Sequence, residues 1–457
     1  MTLVGGRYSR PKPSSMGTYL KTPQLRVLSG WTLIPFKMKF VLSLGRYFVW
    51  RRRYPLFHPA ALRSLAKGKK LAIPKHVRFG RHYYGPVLRV PRWPSAAYDR
   101  MVAGGGLNLE AAGTSAKKHI DSAVLAITRR CPYACRHCYE GLNLGVDEEV
   151  PIPCWKETIR ELQAWGTSVI VLSGGEPMLR QDGLLELLES GDKGLSDFHV
   201  HTSGFGVTPK IAKDLKDAGL AAAGIALDVA DPEGQDRIRG TPGSFARSIQ
   251  AIRCFREAGI FPYINMCLSR ETARAGELRR FLEFAKTAGA GVVSMSEPKP
   301  CGRFLGKEAN DLFLPSDRNE VVRFFKKANS GRETRHLPYV AYPSFSERPD
   351  RFGCLMGGLS HLAVDSRGRV LPCVFVPVSF GSILEDSFTS ILQAMRNAVP
   401  GPSRHECPSL RMSGILRDGM RRGFPLPIPY REIQSEWRDL IAGVSPESSR
   451  KFDYPAG

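Results

Sequence analysis

An α/β fold of six βα units, preceded by a basic extension and followed by a smaller cysteine-bearing region, is what this sequence predicts. Three observations carry it. From about residue 120, short apolar runs (AVLAIT, SVIVLS, FHVHTS, GIALDV, YINMCLS, GVVSMS) alternate with helical stretches at 155–166, 182–190, 209–219, 244–258 and 275–288. Alternation at this spacing makes βα units and a parallel sheet. Six strands are fewer than the eight of a closed barrel. Charge then separates the N-terminal part, and a second group of cysteines separates the C-terminal part.

Of 66 Lys and Arg, 21 lie in residues 1–100, against a single acid there, Asp99, out of 43 in the chain. The rest of the 457 residues is close to neutral. A block of like charge points to a polyanion: an anionic membrane surface, with nucleic acid as the alternative and a solvated arm as the plain structural reading. Residues 31–53 contain the most apolar stretch of this extension (1–115). Lys37, Lys39 and Arg46 interrupt it, which speaks against a membrane-spanning helix. Past Pro35, Phe36, Phe40, Leu44 and Phe48 recur at four-residue spacing, and Arg51, Arg52 and Arg53 follow. That pattern suits an amphipathic helix lying on anionic lipid or docked on the catalytic domain. Residues 54–115 show no clear periodicity. The acid-free run is longer than a typical transit peptide, and no charged, apolar and cleavage-site pattern marks a signal peptide.

Ten Cys in 457 residues are too sparse for a disulfide scaffold. Clustered without a secretion signal, they indicate metal or redox chemistry in a reducing compartment. The expected location is cytoplasmic, with peripheral membrane contact through residues 31–53.

The first strand runs into ITRRCPYACRHCYEG. Cys131, Cys135 and Cys138 form C-x3-C-x2-C on a loop directly after that strand. Three thiolates on one short loop hold three irons of a cubane cluster and leave the fourth iron open. Structural zinc would want a fourth nearby ligand, usually in paired C-x2-C form, and His137 is poorly placed between two ligands.

This loop, CPYACRHCY, resembles the signature of the radical S-adenosylmethionine (radical SAM) superfamily, and the resemblance covers roughly residues 120–305. Gly174, Gly175, Glu176 and Pro177 follow the second strand as SGGEP, which in the family binds the methionine amino group. Ser203 ends the third strand within a Thr-Ser-Gly turn, where the family places a turn near the ribose. Asp228 ends the fourth strand. Arg239 matches a family Arg that pairs with the cofactor carboxylate, and Asn265 lies on the fifth strand at a position that commonly faces the cofactor. Ala226 stands where the related pattern often has Ser.

The resemblance implies a partial (β/α)6 TIM-type barrel over residues 116–305. It also implies a [4Fe–4S] cluster that chelates S-adenosylmethionine through its open iron and is reduced by a flavodoxin- or ferredoxin-type partner. The cofactor then yields a 5′-deoxyadenosyl radical that takes a hydrogen atom from substrate. In this reading the three loop cysteines are both the metal ligands and the catalytic residues.

Cys354, Gly368 and Cys373 form C-x13-G-x4-C, which resembles the auxiliary-cluster motif of SPASM and shorter twitch domains. AVDSRGRVLPC between them predicts a β-hairpin with a Gly turn. Downstream only Cys407 remains, so the resemblance implies one auxiliary cluster on Cys354, Cys373 and Cys407. Cys301, His405, solvent or substrate is left for the fourth position. Domain boundaries follow: a linker at 306–350 with a helix near 316–328, a twitch-like iron–sulfur domain at 351–415, and a tail at 416–457 with a helix near 430–442. Cys154 and Cys254 are expected as buried small side chains.

An auxiliary cluster suits oxidative chemistry. The substrate classes that follow are a membrane-associated lipid, or a peptide or other natural product. RNA modification and a non-catalytic iron–sulfur protein are the competing readings.

Overall fold

The structure, a computed structural model, describes residues 22–39, 75–85, 88–103, 119–307 and 312–443. The extension supplies three antiparallel strands in the order β1 (Leu25–Ser29), β2 (Lys75–Phe79) and β3 (His82–Tyr84). Helix α1 (Ala96–Ala103) follows. The main sheet takes up six consecutive strands: β4 (Ser122–Ala126), β5 (Val169–Ser173), β6 (Asp197–Thr202), β7 (Leu220–Ala226), β8 (Phe261–Cys267) and β9 (Val292–Ser296). Each lies parallel to its sequence neighbour. These are the six predicted runs. Helices α2 (Ile152–Ala164), α3 (Gln181–Ser190), α4 (Pro209–Asp217), α5 (Pro232–Arg239), α6 (Ser244–Ala258) and α7 (Ala275–Ala288) connect them.

Two further strands lengthen this partial barrel. β10 (Tyr339–Ala341) pairs parallel with β9. β11 (His361–Val364) pairs parallel with β4 and antiparallel with β12 (Val370–Leu371). The predicted C-terminal hairpin is therefore an edge of the barrel sheet. Its turn uses Gly368 at φ +83°, a conformation that costs glycine little.

Strand periodicity sorts the side chains. On β6, Phe198 and Val200 join the core between sheet and helices, whereas His199 and His201 face the barrel interior. At the barrel floor, Val77, Phe79 and Tyr84 of β2 and β3 form one buried cluster with Phe261, Tyr263 and Tyr339. Tyr84 stacks on Phe261 with ring centroids 3.8 Å apart.

Several expectations are corrected. Residues 306–350 are not a linker: they carry α8 (Pro315–Ser330) and β10, and Val321, Val322 and Phe324 are core residues. Residues 416–457 are not a loose tail in their described part. After α9 (Phe388–Ala398), helices α10 (Ser413–Arg421) and α11 (Gln434–Ala442) pack with Cys354, Leu355 and Met356 in a second core, because Leu416, Trp437 and Leu440 lie on their inner faces.

The amphipathic segment also differs. Phe36 is buried with Leu33, Trp93 and Tyr98, and its ring lies 4.8 Å from Tyr83. It packs on protein because aromatic partners stand there. The apolar residues left exposed are Trp31, Ile34 and Met38. Phe40, Leu44, Phe48 and the three arginines lie outside the described residues. Part of the extension's positive charge is turned inward. The Lys75 ammonium is fully buried and donates to the carbonyls of Ala328 and Thr334, both at 2.6 Å. Arg89 pairs with Glu347 at 2.7 Å and Arg92 with Asp197 at 3.5 Å. Among the described residues, no helix is long and apolar enough to cross a membrane.

Candidate active site

The three-cysteine loop leaves β4 at the C-terminal end of the sheet, where α/β folds gather their reactive groups. Two neighbours hold it. On one side, the SGGEP turn after β5 runs alongside: Gly175 N–H donates to Thr128 O at 2.8 Å and Glu176 N–H to Arg130 O at 2.7 Å. A Cβ on Gly175 would stand 2.2 Å from Arg130 O. The glycine is thus required by this chain-to-chain approach. On the other side, α5 ends against the loop. Ala134 N–H donates to Arg239 O and Arg136 N–H to Ile238 O. Gly240 closes α5 at φ +65°, and a Cβ there would meet Ala134 at 3.0 Å.

Asp231 caps α5 by accepting from Gly234 N–H, with Pro232 next in line. The helix over 232–239 is absent from the sequence-based expectations, although the Asp-Pro start and Gly stop were its signals.

Glu176 is buried, and its carboxylate is committed to protein. It accepts from Thr202 Oγ at 2.6 Å, Ser203 N–H at 2.8 Å and Met178 N–H at 3.2 Å, and from the Ser203 hydroxyl. Burial pushes its pKa up, and these donors counter that. Glu176 therefore pins the Thr202–Ser203 turn. Pro177 starts a short 3-10 turn behind it.

Asp228 lies at 1% exposure. It accepts from Cys267 N–H at 2.8 Å and pairs with Arg239 at 2.7 Å. Arg239 also reaches Cys135 Sγ at 3.8 Å. Burial opposes its charge, but Asp228 and Cys135 outweigh that and keep the guanidinium protonated. Asn265 pairs with Ala226 in the β7–β8 ladder and lines the same cavity.

The cavity has a volume of about 720 Å³. Cys131, Cys135, Cys138, Gly174, Gly175, Glu176, Ser203, Arg239 and Asn265 all contribute to its wall; Asp228 reaches it through Arg239, and Pro177 stands behind the turn. Burial pushes the Cys131 thiol up to about 11 and Cys138 to about 12. Iron binding at such thiols must displace protons. Among the described residues no three Cys, His, Asp or Glu converge closely enough to hold a single metal ion, and three cysteines on one wall are instead the donor set of a cubane that keeps one iron for a small ligand.

Residues 125–282 match the Radical SAM superfamily, and residues 354–407 match SPASM, an iron-sulfur cluster-binding domain. The chain is 30% identical to a PqqA peptide cyclase of Ruegeria pomeroyi over 55% of this chain and 67% of that protein. It is 29% identical to an AdoMet-dependent heme synthase of Methanosarcina barkeri over 58% of this chain and 80% of that protein. The chain belongs to the radical SAM superfamily.

It is accordingly an enzyme of the [4Fe–4S] and S-adenosylmethionine class with a C-terminal SPASM domain. The radical SAM fold extends to solved structures. Streptococcus suis SuiB bound to S-adenosylmethionine aligns at TM-score 0.51 and 13% identity, covering 79% of this chain and 76% of SuiB. A tagged form of anSMEcpe with bound AdoMet aligns at TM-score 0.50 and 15% identity, covering 70% of this chain and 96% of that one.

In this radical SAM enzyme the SPASM cysteines open onto the same cavity. Cys354, Cys373 and Cys407 line it together with Cys301. Gly357 N–H donates to Pro372 O at 3.0 Å, and Cys354 forms a bridge with Ser403, so segments distant in sequence converge. Burial raises all four of these thiols, Cys373 to about 12. Beside them, Glu297 accepts from Arg318 at 3.1 Å and Lys299 at 3.0 Å, and from Tyr342. The SPASM region is tied to the first loop as well: Ser366 Oγ donates to Glu140 at 2.9 Å, two residues past Cys138. Cys254 lies in the main core and Cys154 packs against it.

Proposed function

We propose that this enzyme carries out oxidative radical chemistry on a peptide or other natural product, with Cys131, Cys135 and Cys138 as ligands of the cofactor-binding cluster and Cys354, Cys373 and Cys407 as ligands of an auxiliary one. The observation that carries this reading is the single chamber into which both cysteine groups open. When bound, the cluster and S-adenosylmethionine supply a hydrogen-abstracting radical. The chain's own residues orient and enclose. Gly174, Gly175 and the Glu176 carbonyl frame the amino end of the cofactor, and Arg239, steadied by Asp228, stands where its carboxylate is received. Ser203 and Asn265 flank the ribose side. The buried floor beneath β6 and β8 keeps water from the reacting atoms.

The substrate class draws support from the named activities of the relatives and from SuiB, also solved with its precursor peptide SuiA. Peripheral membrane association is a second reading for the extension, favoured by exposed Trp31, Ile34 and Met38 beside Lys37 and Lys39. Sedimentation with anionic vesicles that is unchanged by Trp31→Ala and Met38→Ala would remove it.

The function is tested by anaerobic reconstitution, dithionite reduction and an assay of 5′-deoxyadenosine and iron. About eight irons per chain are expected for two cubanes. Cys135→Ala should lower this to about four and abolish 5′-deoxyadenosine. Deuterium transferred from a labelled peptide into 5′-deoxyadenosine would identify the substrate. Unchanged iron in Cys135→Ala would overturn the ligand assignment.

A further inference from the structure

The fourth position at the auxiliary centre is the question the three SPASM cysteines leave open. Cys301 lies just past β9, outside the SPASM match, and is 6% exposed. It lines the chamber with Cys354, Cys373 and Cys407. Leu305, at the end of the same turn, packs into the C-terminal core that holds Cys354 and borders Cys373. A thiolate at Cys301 would feel Cys373, then Cys267, then Cys407, and one at Cys354 would feel Cys407 and Cys373.

The turn has little freedom to move away. Gly302 takes φ +54°, and a Cβ on it would fall 2.1 Å from Cys138 O. Arg303 N–H donates to that same oxygen at 3.0 Å. The other protein donors point elsewhere. His405 is exposed, with its ring so close to Gly443 that a Cβ there would touch it at 2.3 Å. Cys267 also stands near Cys301, but its thiol donates to Leu268 O at 3.8 Å and its N–H is bonded to Asp228.

We propose that Cys301 is the fourth thiolate of the auxiliary centre, so that Cys301, Cys354, Cys373 and Cys407 enclose a [4Fe–4S] cluster without an open iron. This rests on the reading that the three SPASM cysteines hold a cluster. Its consequence is specific. A closed cluster exchanges electrons and does not coordinate substrate.

The test uses the full chain carrying Cys131→Ala, Cys135→Ala and Cys138→Ala, which isolates the auxiliary centre. After anaerobic reconstitution this background should hold about four irons and give one reduced-cluster EPR signal. Adding Cys301→Ala should remove about one iron, leaving a three-iron signal, or shift the signal and make it respond to added 2-mercaptoethanol. Cys301→Ser, which preserves volume, should also shift the signal. It would leave the signal unchanged if the residue only packs. Cys267→Ala should change nothing. Four irons with an identical EPR signal in the Cys301→Ala and Cys301→Ser forms would overturn the assignment. A background protein devoid of iron would instead overturn the auxiliary-centre reading itself, and this proposal with it.

Discussion

Glu176 shows how a side chain can hold a ligand-binding segment in shape. The resemblance places the cofactor's amino group at SGGEP as a segment, and the Glu176 carboxylate within it is engaged by Thr202, Ser203 and Met178. Glu176→Gln would set an amide N–H against those donors. We expect a loss of about 1–3 kcal/mol in stability from the mismatched buried bonds. S-adenosylmethionine binding should weaken about tenfold, equivalent to about 1.4 kcal/mol, as read by calorimetry on the reconstituted protein.

Glu297 is a second case. Burial alone would raise its carboxyl, but Lys299 and Arg318 outweigh it and hold the group well below the usual carboxylate range. Its contribution to stability is therefore present above pH 4.5, the ordinary value, and is lost as pH falls toward the depressed one. Glu297→Gln removes the carboxylate that both buried cations bond and should cost about 3–5 kcal/mol at neutral pH. Denaturant melts over a pH series would show this and a shallower acid limb than wild type. A variant as stable as wild type at pH 7 would contradict the network.

At the scale of elements, loop meets loop through glycine. Gly175→Ala would drive a methyl group into Arg130 O. We expect about 1–3 kcal/mol of destabilisation from overpacking, together with incomplete iron loading at the first loop, measured by melting and iron content. Lys75 makes the corresponding case for the extension. Its ammonium satisfies carbonyls just beyond and within the last turn of α8, so Lys75→Met should cost about 1–3 kcal/mol by leaving them unpaired in the interior. Equal melting curves would show that β2 docks by apolar contact alone.

The elements also show what could be read beforehand. Strands β4 to β9 are buried on both faces and appear in sequence as apolar runs, so their order was legible. β10 has three residues inside the short apolar stretch LPYVAY at 337–342, and it pairs along the edge that β9 offers. β2 alternates buried Val77 and Phe79 with His76 and Arg78 over only five residues, and contact with Phe261, Tyr263 and Tyr339 secures it. The three-cysteine loop was readable from spacing. The company of Cys301 was not, because it joins Cys354, Cys373 and Cys407 through folding across more than fifty residues.

Across the whole molecule, the cysteine groups, the cofactor-framing turns and the buried Glu297 network share one chamber, and the sheet runs continuously from β10 through β4 into the SPASM hairpin. The extension that looked like a free basic arm is, where described, partly a structural piece of the barrel. Its floor has a further consequence. With Tyr84 stacked on Phe261 and Val77 beside Tyr263, the chamber is a dead end on that side. Whatever seats deepest must arrive first and leave last. Steady-state kinetics should then be ordered, with the spent nucleoside competing with fresh cofactor only once the entrance has been cleared.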